Sequence, residues 1–182
     1  MKPYELADVL AALGAVAAYD WKAFFEQRVT AVTPRAPLGG IEGAGYKLVY
    51  QDKPNELLAM RERVMRFRDE RSTLGVVFND KAVVQDLSLD GPAGRAGLPL
   101  GATIVAVNGR KYTEESLERG ILDAKGSTAL NAPIELLVEK DGYYRTLRVN
   151  WNGGLRRPRL ERDSAKPDLL AAILAPRTQA MR

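Results

Sequence analysis

Histidine and cysteine are both missing from the 182 residues. Without an imidazole the chain cannot run Ser-His-Asp hydrolysis, histidine acid–base chemistry or zinc catalysis through H-E-x-x-H. Without a thiol it has no disulfide, no thiolate zinc site and no cysteine nucleophile. Carboxylates alone can hold magnesium or calcium, but no D-x-D-x-D-G loop or similar spacing is present. Long apolar runs are lacking too: nothing approaches the roughly 20 residues that span a bilayer. The richest stretch, residues 6–18, is interrupted by Asp8 and is heavy in alanine. No charged leader and cleavage pattern accompany it, so it does not read as a signal peptide.

What is present is the balance of a soluble globular protein, with 46% apolar and 27% charged residues. The length suits one ordinary domain, or a small domain with a helical companion. The net charge of +4 is concentrated in residues 61–71 and 156–162. Acids interleave the first run and neither run sits in a nucleic-acid motif. Both read as solvated, salt-bridged segments, so neither nucleic acid nor membrane is expected as a partner. The compartment stays open between cytoplasm and periplasm.

Three regions separate by pattern. Leu6, Val9, Leu10, Leu13 and Val16 recur at helical spacing, predicting a helix over residues 4–18. Asp20 is placed to cap a second helix, whose Trp21, Phe24, Phe25 and Val29 line one side. Pro34, Pro37, Gly39 and Gly40 stop regular structure, and residues 45–50 read as a strand. These large apolar groups need a partner surface to be buried. The spacing in 54–71 is only loosely periodic, predicting a linker that is helical in part.

The third region is richer. Residues 74–78 and 82–87 read as strands joined by a turn at Asn79-Asp80. Residues 90–98 form a short helix, with Pro92 in its first turn and Gly97 at its left-handed exit. Residues 103–107 make a buried strand, and Asn108-Gly109 is a strong hairpin-turn signal. Thr113 caps a helix over 114–125, and residues 134–139 and 143–149 close as a hairpin around Asp141-Gly142. The expected fold class is α+β, a small, partly open β-barrel capped by two helices.

The run Gly91-Pro92-Ala93-x-x-Ala96-Gly97-Leu98-x-x-Gly101-x-x-Ile104-x-x-Val107-Asn108-Gly109 closely resembles the central signature of bacterial PDZ domains, with Ala102 where that signature usually has aspartate. The flanks carry a second resemblance. Tyr19-Asp20-Trp21-x-x-Phe24-Phe25, Pro37-Leu38-Gly39-Gly40-Ile41 and Gly45-Tyr46-Lys47-Leu48-Val49-Tyr50 look like the end of the catalytic domain in the glycyl aminopeptidase family. Gly154-Leu155-Arg156-Arg157-Pro158-x-Leu160-x-Arg162, with Asp168-Leu169-Leu170 and Ile173-Leu174, is similar to that family's C-terminus.

The resemblance implies that residues 1–53 end a helical subdomain of a catalytic domain and that 54–71 are a linker. It makes 72–150 a PDZ domain and 151–182 a tail packing on the rest. It implies an upstream thermolysin-like zinc domain as a partner, in a parent that removes N-terminal residues, especially glycine, from peptides. No catalytic residue, metal ligand or cofactor is expected in this chain itself; zinc is implied only for the parent.

A PDZ groove takes an extended peptide as an added strand at an exposed sheet edge. Here the loop and edge would be Thr73, Leu74, Gly75, Val76, Val77 and Phe78, with Gly75 admitting a terminal carboxylate at close range. Across the groove the helix from Glu114 offers Leu117 and Ile121, either as pocket residues or simply as core. Glu114 and Glu118 are a solvated face or a rim that favours basic peptide side chains. The alternative is a structural or regulatory module whose groove is filled by its own chain, from the tail at 169–174 or the linker near 57–65. Carboxylate catalysis through Glu114, Glu115 and Glu118, or Asp86 and Asp90, is not favoured by any spacing.

Overall fold

Helix starts at Asp20, Asn55, Thr113 and Asp168 follow capping chemistry. In the computed structural model, which describes residues 3–33, 36–125 and 132–176, the Asp20 carboxylate accepts the Ala23 N–H at 2.9 Å and opens helix α2 (Trp21–Phe25) behind α1 (Leu6–Val16). A π-helical turn, Glu26–Thr30, continues α2, and a short α3 (Gly39–Gly43) follows. Pro34, read as a helix stop, lies outside the described residues, as do Met1 and residues 177–182 of the expected segments.

The chain divides into two compact units, Met1–Tyr46 with Asp163–Arg182, and Lys47–Arg162. In the first, Tyr19, Trp21, Phe24 and Phe25 meet edge-on in an aromatic cluster, with ring centroids 5.1–6.2 Å apart. The unit closes with α7 (Leu169–Leu174), capped by Asp168. None of α1, α2, α3 or α7 buries a residue fully.

The second unit is built from strands. A two-stranded sheet joins β1 (Tyr46–Gln51) to β9 (Arg157–Arg162). Helix α4 (Glu56–Met65) is capped by Asn55 and leads into β2 (Phe67–Glu70). A three-stranded sheet then runs in the order β2, β3 (Val76–Asn79), β4 (Val84–Leu87). Helix α5 (Pro92–Arg95) precedes a four-stranded sheet. Its order is β6 (Arg110–Lys111), β5 (Thr103–Val107), β7 (Ile134–Lys140), β8 (Tyr143–Val149). All its pairings are antiparallel. Helix α6 (Glu114–Ala124) is opened by Thr113, whose hydroxyl accepts the Ser116 N–H at 3.0 Å.

Alternation explains the core. Ile134, Leu136 and Val138 occupy every second position of β7 and point one way, each at most 2% exposed. Leu74, Val76, Phe78, Val84, Val107, Leu117, Ile121 and Val149 belong to the same cluster. The two hairpin turns take the left-handed backbone their sequences demand, at Asn108 (φ 48°) with Gly109 (φ 75°) and at Asp141 (φ 53°) with Gly142 (φ 81°). The sheets do not close into a barrel; an isolated bridge, Val83 to Thr103, links the two larger ones. The α+β, PDZ-like order of elements expected from the sequence is the order observed.

One expectation at the domain edges is corrected. Part of the expected linker, residues 67–70, is a strand of the domain sheet. The stretch after residue 150, expected as a tail packing on the rest, has Leu155 and Arg157 at 7% and 1% exposure.

Candidate functional site

The loop and strand over residues 72–78 were expected to present a free edge. In the structure β2 turns back through that loop and pairs antiparallel with β3 on the side away from β4. Phe67 lies opposite Asn79, Arg68 opposite Phe78, Asp69 opposite Val77 and Glu70 opposite Val76. The ladder continues one step further where the Asp80 N–H donates to the Arg66 carbonyl at 3.0 Å. β3 is therefore an inner strand, and the open trough is replaced by the chain's own backbone.

The loop's polar groups are spoken for as well. The N–H groups of Thr73, Leu74 and Gly75 converge on the Glu70 carbonyl oxygen at 3.1, 2.8 and 3.0 Å. The Thr73 hydroxyl accepts the Arg156 N–H at 3.1 Å. Gly75 has φ +79°, and a Cβ there would stand 2.9 Å from Gly91 Cα. Its lack of a side chain serves a backbone crossing inside the fold, not the approach of a ligand carboxylate. Leu117 and Ile121, offered as pocket residues, are at most 1% exposed and belong to the core.

Charge fixes β2 where it lies. Arg68, whose side chain is 11% exposed, donates Nε to Glu70 Oε1 at 3.0 Å, Nη1 to Glu114 Oε2 at 3.4 Å, and Nη2 to Glu118 Oε1. Glu114 and Glu118 are thus a rim that binds a basic side chain, and the side chain is the protein's own. Arg157, from the start of β9, donates Nη2 to Glu70 Oε1 at 2.6 Å and Nη1 to the Asp69 carbonyl at 2.7 Å. The Asp69 N–H goes to Glu62 Oε1 at 2.8 Å. Both outward backbone groups of Asp69 are thereby taken by charged side chains, which blunts the new sheet edge. On the exposed face, Arg71 reaches Asp69 at 2.7 Å and Asp86 at 3.0 Å. Those two carboxylates flank Val77 across the three strands.

Burial and pairing compete in this cluster. Burial pushes the Glu62 carboxyl up from its ordinary range, with the Asp69 N–H and Arg68 pulling the other way. Burial also works against the Arg68 charge, yet Glu70 and Glu118 outweigh it and hold the guanidinium above its ordinary value. Tyr112, whose ring centroid lies 6.5 Å from that of Phe78, has its phenol pushed up to about 12 by burial, reinforced by Glu114. Glu70 and Arg157 are at most 1% exposed, and Glu70 Oε2 and Arg157 Nε have no hydrogen-bond partner among the described residues.

Sequence reasoning missed Arg68, Glu70 and Arg157. The available signal was the pair Glu114 and Glu118, one helical turn apart, facing a chain that carries arginines on both sides of the domain. Of the residues weighed for carboxylate catalysis, three are engaged elsewhere: Glu114 and Glu118 with Arg68, Asp86 with Arg71. Among the described residues no group of three or more His, Cys, Asp or Glu is arranged to hold a metal ion. No helix among them is long and apolar enough to cross a membrane.

No family model and no curated relative matches the chain. Among solved structures, the chain is similar to an aminopeptidase N family protein from Idiomarina loihiensis. The TM-score is 0.57 at 20% identity, over 92% of this chain and 28% of that one. It also aligns with the HtrA3 PDZ domain bound to a phage-derived ligand (FGRWV), with a TM-score of 0.31 and 17% identity over 66% of this chain and 95% of that one. The first likeness is one of fold, to a protein of which this chain spans 28% of the length.

Proposed function

We propose that this chain is the non-catalytic C-terminal region of a larger zinc aminopeptidase, in which the PDZ-like unit is a packing module whose peptide groove is taken by its own strand β2. The observation that carries the reading is the pairing of β2 with β3 while Arg68 engages Glu114 and Glu118 of α6. Strand and arginine together occupy the backbone and side-chain positions that an added peptide would use. The occupant is neither the tail at 169–174 nor residues 57–65, but the four residues just before the carboxylate loop.

The aminopeptidase part rests on the flanking motifs and on the fold likeness. The zinc would sit upstream, since this chain has neither histidine nor cysteine to bind it. The apolar side chains left on the surface of the flanking unit, such as Leu6, Val16 and Val29, support an upstream domain as their cover.

Titrating the intact chain with peptides bearing free C-termini, followed by amide NMR, tests the module. The Val76, Val77 and Phe78 signals are expected to stay in place, and their amides to exchange slowly with solvent. Peptide-induced shifts confined to that strand in the unaltered chain would overturn the closed groove. Aminopeptidase turnover by the isolated chain with added zinc would overturn the non-catalytic assignment.

A further inference from the structure

We propose that the outer edge of β8 is a self-association surface, on which a second copy of this chain pairs antiparallel about Thr146. The inference does not depend on how the groove beside β3 is used.

The edge follows from topology. Among the described residues β8 ends the four-stranded sheet and pairs with β7 alone. The two-residue turn at Asp141-Gly142 makes Lys140 and Tyr143 the first hydrogen-bonded pair. Alternation then aims the backbone N–H and C=O groups of Tyr144, Thr146 and Arg148 away from β7, in a row along a strand of 7 residues.

Such a row is a template for pairing unless the edge is short, bulged, interrupted by proline or covered. The outer side of β2 is covered by Glu62 and Arg157, and β6 has 2 residues. β8 has none of these devices. It contains neither proline nor glycine. Its register against β7 runs unbroken from Tyr143 to Val149, whereas those of β3 with β4 and β5 with β7 both shift. The charges of Arg145 and Arg148 are what deters a partner here, and they select which partner and which register fit.

Pairing about Thr146 sets that threonine against its own copy, Tyr144 against Arg148 and Arg148 against Tyr144. Threonine pairs are favourable cross-strand neighbours, and a guanidinium beside a tyrosine ring gains cation–π attraction, here at both ends of the row. The chain already makes one such contact, with Arg156 over the Tyr50 ring at 4.1 Å. Centring the pair on Arg145 or Arg148 would instead put like charges directly opposite. The Glu135 carboxylate, 3.2 Å from Arg148, tempers the positive charge that two such edges bring together. Each end of the row complements the other end, as a two-fold interface requires. A foreign strand needs no such symmetry.

The groups to be covered stand at the surface of the single chain: Tyr143 and Tyr144 are 76% and 65% exposed. The four tyrosines of a pair bring at most about 600–1,000 Å², short of the roughly 1,200 Å² where standard stable interfaces begin. The dimer is therefore weak and reversible, and it joins two four-stranded sheets into one.

The test uses the full chain, which has no cysteine of its own. Thr146→Cys puts a thiol beside its own copy, with α-carbons about 5.5 Å apart and within disulfide reach. Mild oxidation is expected to give a cross-linked dimer. Tyr143→Cys would lie about 20 Å from its copy in this register, and should cross-link at least about tenfold more slowly. Sedimentation equilibrium of the unaltered chain is expected to show monomer and dimer in exchange. Tyr144→Lys, which turns a lysine toward the other copy's arginine, should weaken the dimer about tenfold, and adding Arg148→Glu should restore it. Both positions are exposed, so neither change disturbs the core. A chain that stays monomeric up to about 1 mM would overturn the proposal. So would equal cross-linking at positions 143 and 146, a dimer that Tyr144→Lys leaves intact, or a loss that Arg148→Glu does not reverse.

Discussion

Phe78, Leu74, Leu117 and Ile121 in the unit Lys47–Arg162 are at most 1% exposed, while Leu6, Val16, Val29 and Ile173 in the flanking unit are 56%, 86%, 69% and 75% exposed. Both units have capped helices, and both carry apolar residues at regular spacing. The difference lies in what those residues meet. In the PDZ-like unit, strand alternation and the apolar stripe of α6 face one another and exclude water, at about 1.5–3 kcal/mol for each fully buried side chain. In the flanking unit, short helices are set by local capping, and an isolated helix of about a dozen residues is marginal without tertiary packing. Local signals are enough to write a helix; a core needs partners distant in sequence.

The same contrast holds for charge, and it supplies the most severe test. Arg157→Met would leave the Glu70 carboxylate, itself fully buried, without its closest cation. We expect a loss of about 3–5 kcal/mol in urea unfolding, much of it recovered when Glu70→Leu is added. In the flanking unit Lys22 and Glu26 pair at 4.0 Å with both side chains well exposed, and Lys22→Ala should cost about 0.5 kcal/mol or less. Comparable losses at the two sites would erase the distinction.

Side-chain truncation sharpens it further. Leu117→Ala is expected to cost about 2–5 kcal/mol through lost burial and the cavity it opens. Ile173→Ala, on an exposed position of α7, should stay within about 0.5 kcal/mol. A large effect at Ile173 in the isolated chain would reveal packing that its 75% exposure does not show.

The smallest effect concerns pH. Burial raises the Glu62 carboxyl, so the folded state holds this proton more tightly than the unfolded chain does. Its contribution to stability is then present below the ordinary value of about 4.3 and is lost as pH rises through the folded value. Glu62→Gln, which still offers an oxygen to the Asp69 N–H, should gain stability relative to the unaltered protein as pH rises from about 4 to about 7. A difference that stays flat across that range would mean that Asp69 and Arg68 fully offset the burial.

Much of the fold was legible because its signals are local. Asn108-Gly109 and Asp141-Gly142 name their turns by the need for left-handed backbone, Thr113 and Asp20 name their helices by capping, and the alternation along β7 names its buried face. Strand β2 was not legible. Phe-Arg-Asp-Glu has no apolar alternation, and its place is set by partners in α4, α6 and β9, the last about 90 residues away in sequence. The candidate site failed for the same reason: the edge was identified from its glycine and its apolar strand, while the segment that covers it is recognised through charges no short window contains. Glu114 and Glu118 read as a solvated face or as a rim suited to a basic group; in the structure both engage Arg68.

The crossing of Gly75 and Gly91 constrains how this sequence can vary. A methyl built on either residue would come within 2.9 Å of the other's α-carbon, so a side chain at one position demands that the main chain move at both. Natural variants will keep both glycines whether or not their groove ever meets a peptide. Retention of the pair across relatives is therefore a signature of two strands of main chain passing at minimum distance, and carries no information about ligands.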